Sequence, residues 1–223
     1  MTNFTLATEH PVIIPSKQVH LDGILFVPKN AEGIVLFVHG SGSSRFSVRN
    51  KQVAHVLNEA NLATLLFDLL TPEEEVVDDQ TRELRFNIEF LASRLIDATD
   101  WCSKQLITQS LQIGYFGSST GGGAALVAAA NKENLIKAVV SRGGRPDLAD
   151  QSLAHVKAPT LLIVGGNDDA VIEMNQSAME KMHCIKKMEI VPGATHLFEE
   201  SGTLDQVSHL AKMWFTRFLK KEP

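Results

Sequence analysis

One stretch constrains the chain more than any other: Leu111 to Leu126, reading Leu-Gln-Ile-Gly-Tyr-Phe-Gly-Ser-Ser-Thr-Gly-Gly-Gly-Ala-Ala-Leu. The apolar run Leu111 to Phe116 has the length and residue types of a buried strand. An alanine-rich, helix-like run, Ala124 to Ala130, follows almost at once. Between them, Gly117-Ser118-Ser119-Thr120-Gly121 matches G-x-S-x-G, a sharp strand-to-helix turn that holds its central serine in a strained conformation with the hydroxyl exposed. The flanking glycines are needed because a Cβ there would clash as the two backbone segments cross. Their spacing selects Ser119, with glycines two residues before and two after, over Ser118.

Such a turn belongs in alternating strand-and-helix architecture, and the chain supplies it. Apolar strands are expected at Ile34 to Val38, Leu62 to Phe67, Leu135 to Val140, Thr160 to Val164 and Lys187 to Val191. Helices are expected at Phe46 to Ala60, Thr81 to Gln105, Asp147 to His155, Ala170 to Met182 and Leu204 to Leu219. Residues 1 to 30 read instead as an antiparallel meander, with Val12 to Ile14 between Pro11 and Pro15 and a turn signal at Asp22-Gly23. Leu69 to Gln80, with Pro72 and the solvated acids Glu73, Glu74 and Glu75, reads as a linker. The expectation is an α/β fold over residues 1–223 as a single domain: a mostly parallel sheet with helices on both faces and antiparallel N-terminal strands. The short connection between the Leu135 and Thr160 strands leaves no room for a cap domain.

A serine hydroxyl needs a base, and the base needs an orienting group. In a parallel sheet these gather at the carboxyl ends of strands, in the chain order serine, acid, histidine. The strand Thr160 to Val164 runs into Gly165-Gly166-Asn167-Asp168-Asp169, which makes Asp168 the acid, with Asp169 as the alternative or as a helix cap. The strand ending at Val191 leads through Pro192-Gly193-Ala194-Thr195 to His196, the one histidine that follows both a strand and the acid loop. The remaining requirement is a pair of N–H donors for a developing oxyanion. Thr120, after the nucleophile, supplies one, and the loop His39-Gly40-Ser41-Gly42-Ser43 the other, through Ser41 or Gly42. His39 itself is either structural or a substrate contact. Arg142 and Arg145, past the Leu135 to Val140 strand, form either a clamp for an anionic substrate or a structural pair with Asp147 or Asp150.

Taken together, the elbow, the Asp168 loop, Pro-Gly-Ala-Thr-His and His-Gly-Ser-Gly resemble the α/β-hydrolase superfamily, and the small capless form resembles the dienelactone hydrolase family. The resemblance runs from about Gly23 to Leu219. One departure is that dienelactone hydrolases proper use a cysteine nucleophile where this chain has Ser119. The chain also resembles a bacterial subgroup of hydrolases sometimes fused to phosphoribosyltransferase domains. The resemblance implies hydrolysis of a carboxylic ester, lactone or thioester of a small molecule. Acyl transfer on the same site, or a non-catalytic binding role, are the alternatives.

Other classes are disfavoured. Net charge is −5, from 21 basic and 26 acidic residues, and the nearest thing to a basic stripe is Lys220-Lys221, so nucleic acid is not an expected partner. No metal-ligand pattern surrounds His183-Cys184. Gly121 to Gly123 lacks the Gly-Lys-Ser/Thr ending of a phosphate loop, and no G-x-G-x-x-G follows the first parallel strand. Neither metal nor cofactor is therefore expected. Met1 to Pro11 shows no signal-peptide pattern, no apolar run approaches membrane-spanning length, and Cys102 and Cys184 lie in unrelated contexts. A cytoplasmic monomer or homodimer with no membrane partner is the corresponding expectation.

Overall fold

The computed structural model describes residues 4–220; residues 1–3 and 221–223, which include Lys221, lie outside it. Eight strands form one sheet in the order β1-β2-β4-β3-β5-β6-β7-β8. β1 (Glu9–Ser16) and β2 (Val19–Phe26) make an antiparallel hairpin, and β2 runs antiparallel to β4 (Leu62–Phe67). From β4 onward every neighbouring pair is parallel, through β3 (Gly33–Val38), β5 (Gln112–Ser118), β6 (Ile136–Arg142), β7 (Thr160–Gly165) and β8 (Lys186–Val191). This is the mostly parallel sheet with antiparallel N-terminal strands that the alternation of elements implied.

Period-two alternation gives the central strands two buried faces. In β3, Val35 and Phe37 join the core beneath α1 (Val48–Glu59) and α6 (Thr203–Phe218). Ile34, Leu36 and Val38 join the opposite core, under α3 (Ile88–Cys102), α4 (Thr120–Asn131) and α5 (Asp169–Lys181). Strands covered on both sides have no polar face, which is why they read as unbroken apolar runs. Between β6 and β7 lies only a 3-10 segment, Pro146–His155, where the residue pattern predicts an α-helix; it is broken at Asp150, whose φ is +32°. No lid is inserted there.

The structure corrects the sequence reading in three further places. Asp22-Gly23 is not a turn but the middle of β2. Glycine fits there because a Cβ would come within 3.0 Å of Val12 Cγ2 across the hairpin. Pro11 and Pro15 do not bound β1 but lie inside it, as an edge strand tolerates. Residues Pro72–Thr81 form a helix, α2, rather than a linker, and α3 begins only at Ile88.

α2 is held by polar contacts, since Asp78 is its one buried residue. Thr71 and Glu74 form a capping box, with Glu74 N–H on Thr71 Oγ1 at 3.2 Å and Thr71 N–H on Glu74 Oε2 at 2.8 Å. Glu73, Glu74 and Glu75 lie in the first turn, where the helix dipole favours them. At the far end the Asp78 carboxylate accepts from Leu84 N–H (2.7 Å), Arg85 N–H (3.1 Å) and Arg85 Nε (2.5 Å). Burial opposes the charge on Asp78, but these donors outweigh it and hold its pKa below the ordinary carboxylate value. Asp78→Asn leaves Arg85 without its buried partner and should cost about 3 kcal/mol at neutral pH. Because the folded-state pKa is depressed, the wild-type advantage should be present above the unfolded pKa and vanish as pH falls through the folded one. Urea unfolding of both proteins from pH 7 into the acid range checks this.

Candidate active site

The candidate residues converge on the carboxyl edge of the sheet. β5 ends at Ser118 and α4 begins at Thr120, so Ser119 alone makes the turn, with φ +52° and ψ −123°. A residue with a side chain adopts this conformation only where its surroundings impose it. The surroundings here are backbone. A Cβ on Gly117 would lie 2.5 Å from Gly121 O, and one on Gly121 would run into Val38 O and His39 O at the end of β3. The elbow therefore presses α4 against both β5 and β3 with no side chain between.

Asp168 and His196 arrive on two loops that are tied to each other. Asn167 N–H donates to Ala194 O at 2.9 Å, Gly166 N–H to Val191 O at 2.8 Å, and the Asn167 amide to Gly193 O at 3.0 Å. Thr195 donates through N–H and hydroxyl to the Glu200 carboxylate at 3.1 and 2.6 Å. The result is a chain of contacts: Asp168 Oδ2 to His196 Nδ1 at 2.7 Å, and His196 Nε2 to Ser119 Oγ at 3.3 Å. Asp168 occupies the N-cap position of α5 but makes no cap bond, since its carboxylate is turned to His196. Asp169 is exposed in the first turn and takes no part.

The loop after β3 closes the site. Ser41 N–H donates to Thr120 Oγ1 at 3.1 Å, and the two hydroxyls lie 3.1 Å apart. Thr120 N–H has no protein acceptor among the described residues. Gly42 turns the loop at φ +66°. A cavity of about 290 Å³ opens on this side, lined by Ser41, Gly42, Thr120, the apolar Leu69, Leu70 and Leu91, and a charged wall from α2 and Arg85. A larger one of about 370 Å³, between β2 and α1, includes none of the candidate residues.

Three of the proposed substrate contacts are placed differently. His39 is buried and structural: its Nε2 accepts from Leu69 N–H at 3.1 Å, so Nδ1 carries the proton and faces Gly40 O at 3.0 Å. Burial lowers its pKa, against the smaller effects of Gly40 and Asp68, and keeps it neutral. Arg142 does not line a pocket; it is 5% exposed, and its guanidinium lies inside against Ser118 and Phe198. Arg145 is committed to Asp147 through two bonds of 2.8 and 2.7 Å. The sequence reading missed Asn50 of α1, whose Oδ1 accepts from Ser118 Oγ at 3.1 Å and braces the elbow from below. No sequence signal marks it. Among the described residues no group of three metal-ligating side chains lies together, and no helix is long and apolar enough to cross a membrane.

If backbone contact fixes the elbow, Gly121→Ala should cost about 3 kcal/mol, at the upper end of overpacking, because the neighbours cannot move aside. A thermal melt in which the Gly121→Ala variant loses less than a third of that stability would contradict the close crossing.

The family comparisons agree with this architecture. A model described as PET hydrolase-like matches residues 74–223. The crystal structure of a dienelactone hydrolase from Anabaena variabilis is 58% identical, covering 96% of this chain and 99% of that one with a TM-score of 0.94. Two Mycobacterium tuberculosis proteins, provisionally named phosphoribosyl transferases, are 58% identical over 207 residues, 93% of this chain but 46% of theirs. The chain thus spans about half the length of those curated relatives. Est1E from Butyrivibrio proteoclasticus shares the fold at 18% identity, with a TM-score of 0.77 over 93% of this chain and 98% of that one. The chain belongs to the dienelactone hydrolase-like, PET hydrolase-like branch of the α/β-hydrolases.

Proposed function

We propose that this hydrolase cleaves a carboxylic ester, lactone or thioester of a small molecule through Ser119, His196 and Asp168. The observation that carries the proposal is the strained Ser119 in hydrogen-bond reach of an imidazole whose other nitrogen meets a carboxylate. His196 Nε2 takes the Ser119 proton as Oγ attacks the carbonyl carbon, while Asp168 fixes the ring with Nδ1 protonated. The oxyanion receives Thr120 N–H and Ser41 N–H. The latter now donates to the Thr120 hydroxyl, and an oxyanion, the stronger acceptor, displaces that hydroxyl. The imidazolium returns its proton to the departing alkoxide or thiolate, leaving an acyl-Ser119. Water, deprotonated by His196, then releases the acid. No step calls on a metal or cofactor. The transferase name of the mycobacterial relatives, we infer, belongs to the half of their length that this chain does not span.

A fluorophosphonate probe should label the wild type and spare Ser119→Ala; equal labelling of both would refute the nucleophile. Loss of the orienting acid costs about 10⁴-fold in turnover in serine proteases. Asp168→Asn should fall on that scale, with Asp169→Asn near wild type, and the reverse order would move the acid by one residue.

With Arg142 and Arg145 placed as above, we infer the opposite charge preference from the one they suggested in the sequence. The cavity beside Ser41 and Thr120 carries Glu75, Asp78 and Asp79 against Arg85 alone. Arg85 is already paired with Asp78 and Asp79. Glu75 has its pKa raised chiefly by partial burial and then by Asp68 and Asp79, against the opposing effects of Arg45 and Arg85. A neutral butyrate ester should therefore exceed its hemisuccinate analogue by about tenfold in kcat/KM. Added salt should narrow the gap. A preference for the carboxylate-bearing ester would overturn this.

A further inference from the structure

Arg142 ends β6 beside the elbow, yet it is buried without a carboxylate. Its Nη2 donates to Ser118 Oγ at 2.9 Å and reaches Asn50 Oδ1 at 3.5 Å. Its guanidinium carbon lies 5.7 Å from the centre of the Phe198 ring. Its Nε is sealed from solvent and has no acceptor. Burial, and then the nearby charge of Arg49, lowers its pKa to about 10, which leaves it protonated at neutral pH. Arg49 is itself paired with Glu199 at 3.0 Å. A buried cation without a counter-ion is costly, and an apolar side chain of similar volume would hold the same space at less expense of stability.

What Arg142 touches suggests why the cost is tolerated. Ser118 is the residue before Ser119, and Phe198 is two residues after His196. The Arg142 carbonyl also accepts Ser119 N–H at 3.2 Å. Phe198 is buried at φ +57° and its N–H donates to Thr195 O at 3.2 Å, closing the turn that carries His196. Arg142 thus bridges the elbow on β5 and the histidine loop after β8, which come from strands with β6 and β7 between them. We propose that Arg142 is a positioning residue, holding Ser119 through Ser118 and His196 through Phe198 so that Oγ and Nε2 stay within proton-transfer reach. This rests on the Ser119, His196 and Asp168 reading.

A residue kept only for packing loses stability and turnover together when replaced, whereas a buried charge kept for positioning does not. Arg142→Met removes the charge at similar length. It strands no partner, since Ser118 Oγ still donates to Asn50 Oδ1 at 3.1 Å. The expected result is a kcat lower by about 100-fold, the scale of an ångström of misplacement. KM should stay within about twofold and Tm should not fall. The rate of Ser119 phosphonylation by a fluorophosphonate should drop in parallel, because it reads nucleophile activation without the acyl pocket. Arg142→Lys, which restores the cation without the planar fork, should recover about tenfold of the loss. Should the methionine variant not fold, Phe198→Leu removes the ring face alone, and its kcat should fall about tenfold. Wild-type kcat in Arg142→Met or in Phe198→Leu overturns the proposal, as does a Tm loss with phosphonylation of the folded fraction unchanged. Turnover surviving in Ser119→Ala would instead overturn the nucleophile on which it rests; a dead Ser119→Ala with full turnover in Arg142→Met would overturn positioning alone.

Discussion

The site depends on one steric fact, the crossing of backbone on backbone at the elbow. Gly117 faces Gly121 and Gly122, and Gly121 faces the carbonyls of Val38 and His39, with no room for a methyl group at either position. That crossing holds Ser119 at positive φ, because β5 must end and α4 must begin within a single residue. It also sets α4 against the end of β3, which places the Ser41 loop over Thr120. Strain at Ser119 of order 1–3 kcal/mol is sustained by the two buried cores on either face of the sheet.

The other two members are held differently. Asp168 and His196 sit on loops after adjacent strands, β7 and β8, and the loops exchange backbone and amide hydrogen bonds along their length. Acid and histidine therefore form one preassembled unit, fixed locally. Ser119 forms a second unit, fixed by the elbow. Precision is most demanding at their junction, where the Oγ to Nε2 separation of 3.3 Å is longer than the 2.7 Å between His196 and Asp168. The Arg142 cluster lies beneath this junction, where a tether between the two units has the most effect.

Much of this was legible in the sequence, where local chemistry dictates structure. The elbow announced itself because only glycine fits a crossing that tight, and the acid and histidine because each follows a strand through a turn that contains glycine. The central parallel strands were legible because burial on both faces leaves them largely apolar. Where tertiary contacts decide, the sequence misled. Asp22-Gly23 has the chemistry of a turn, yet Asp22 meets Arg45 and Gly23 packs under Val12, so the pair stays extended. α2 looked like a linker because it has almost no apolar face. Its start was nevertheless written in Thr71-Pro72-Glu73-Glu74, a capping box with proline at the first helical position. Arg142 and Arg145 were placed on the right edge, but side-chain direction at a strand end is fixed by packing, and it turned one inward and gave the other to Asp147.

The distribution of charge around the site follows from that same inward turn. With Arg142 beneath the elbow and Arg145 bound to Asp147, the cavity beside the oxyanion loop is left to the acids of α2 and to one arginine already shared between two of them. Positive charge therefore lies behind Ser119 and negative charge along the cavity beside Ser41 and Thr120. In the reaction proposed above, a cation on the inner side would favour negative charge developing on Ser119 and the carbonyl oxygen, because the interior screens it weakly. The acidic wall, partly solvated, is screened more and acts on the substrate as it enters. Separated in this way, the two fields need not conflict under the proposed mechanism: one would bear on the reacting atoms and the other on which substrates reach them.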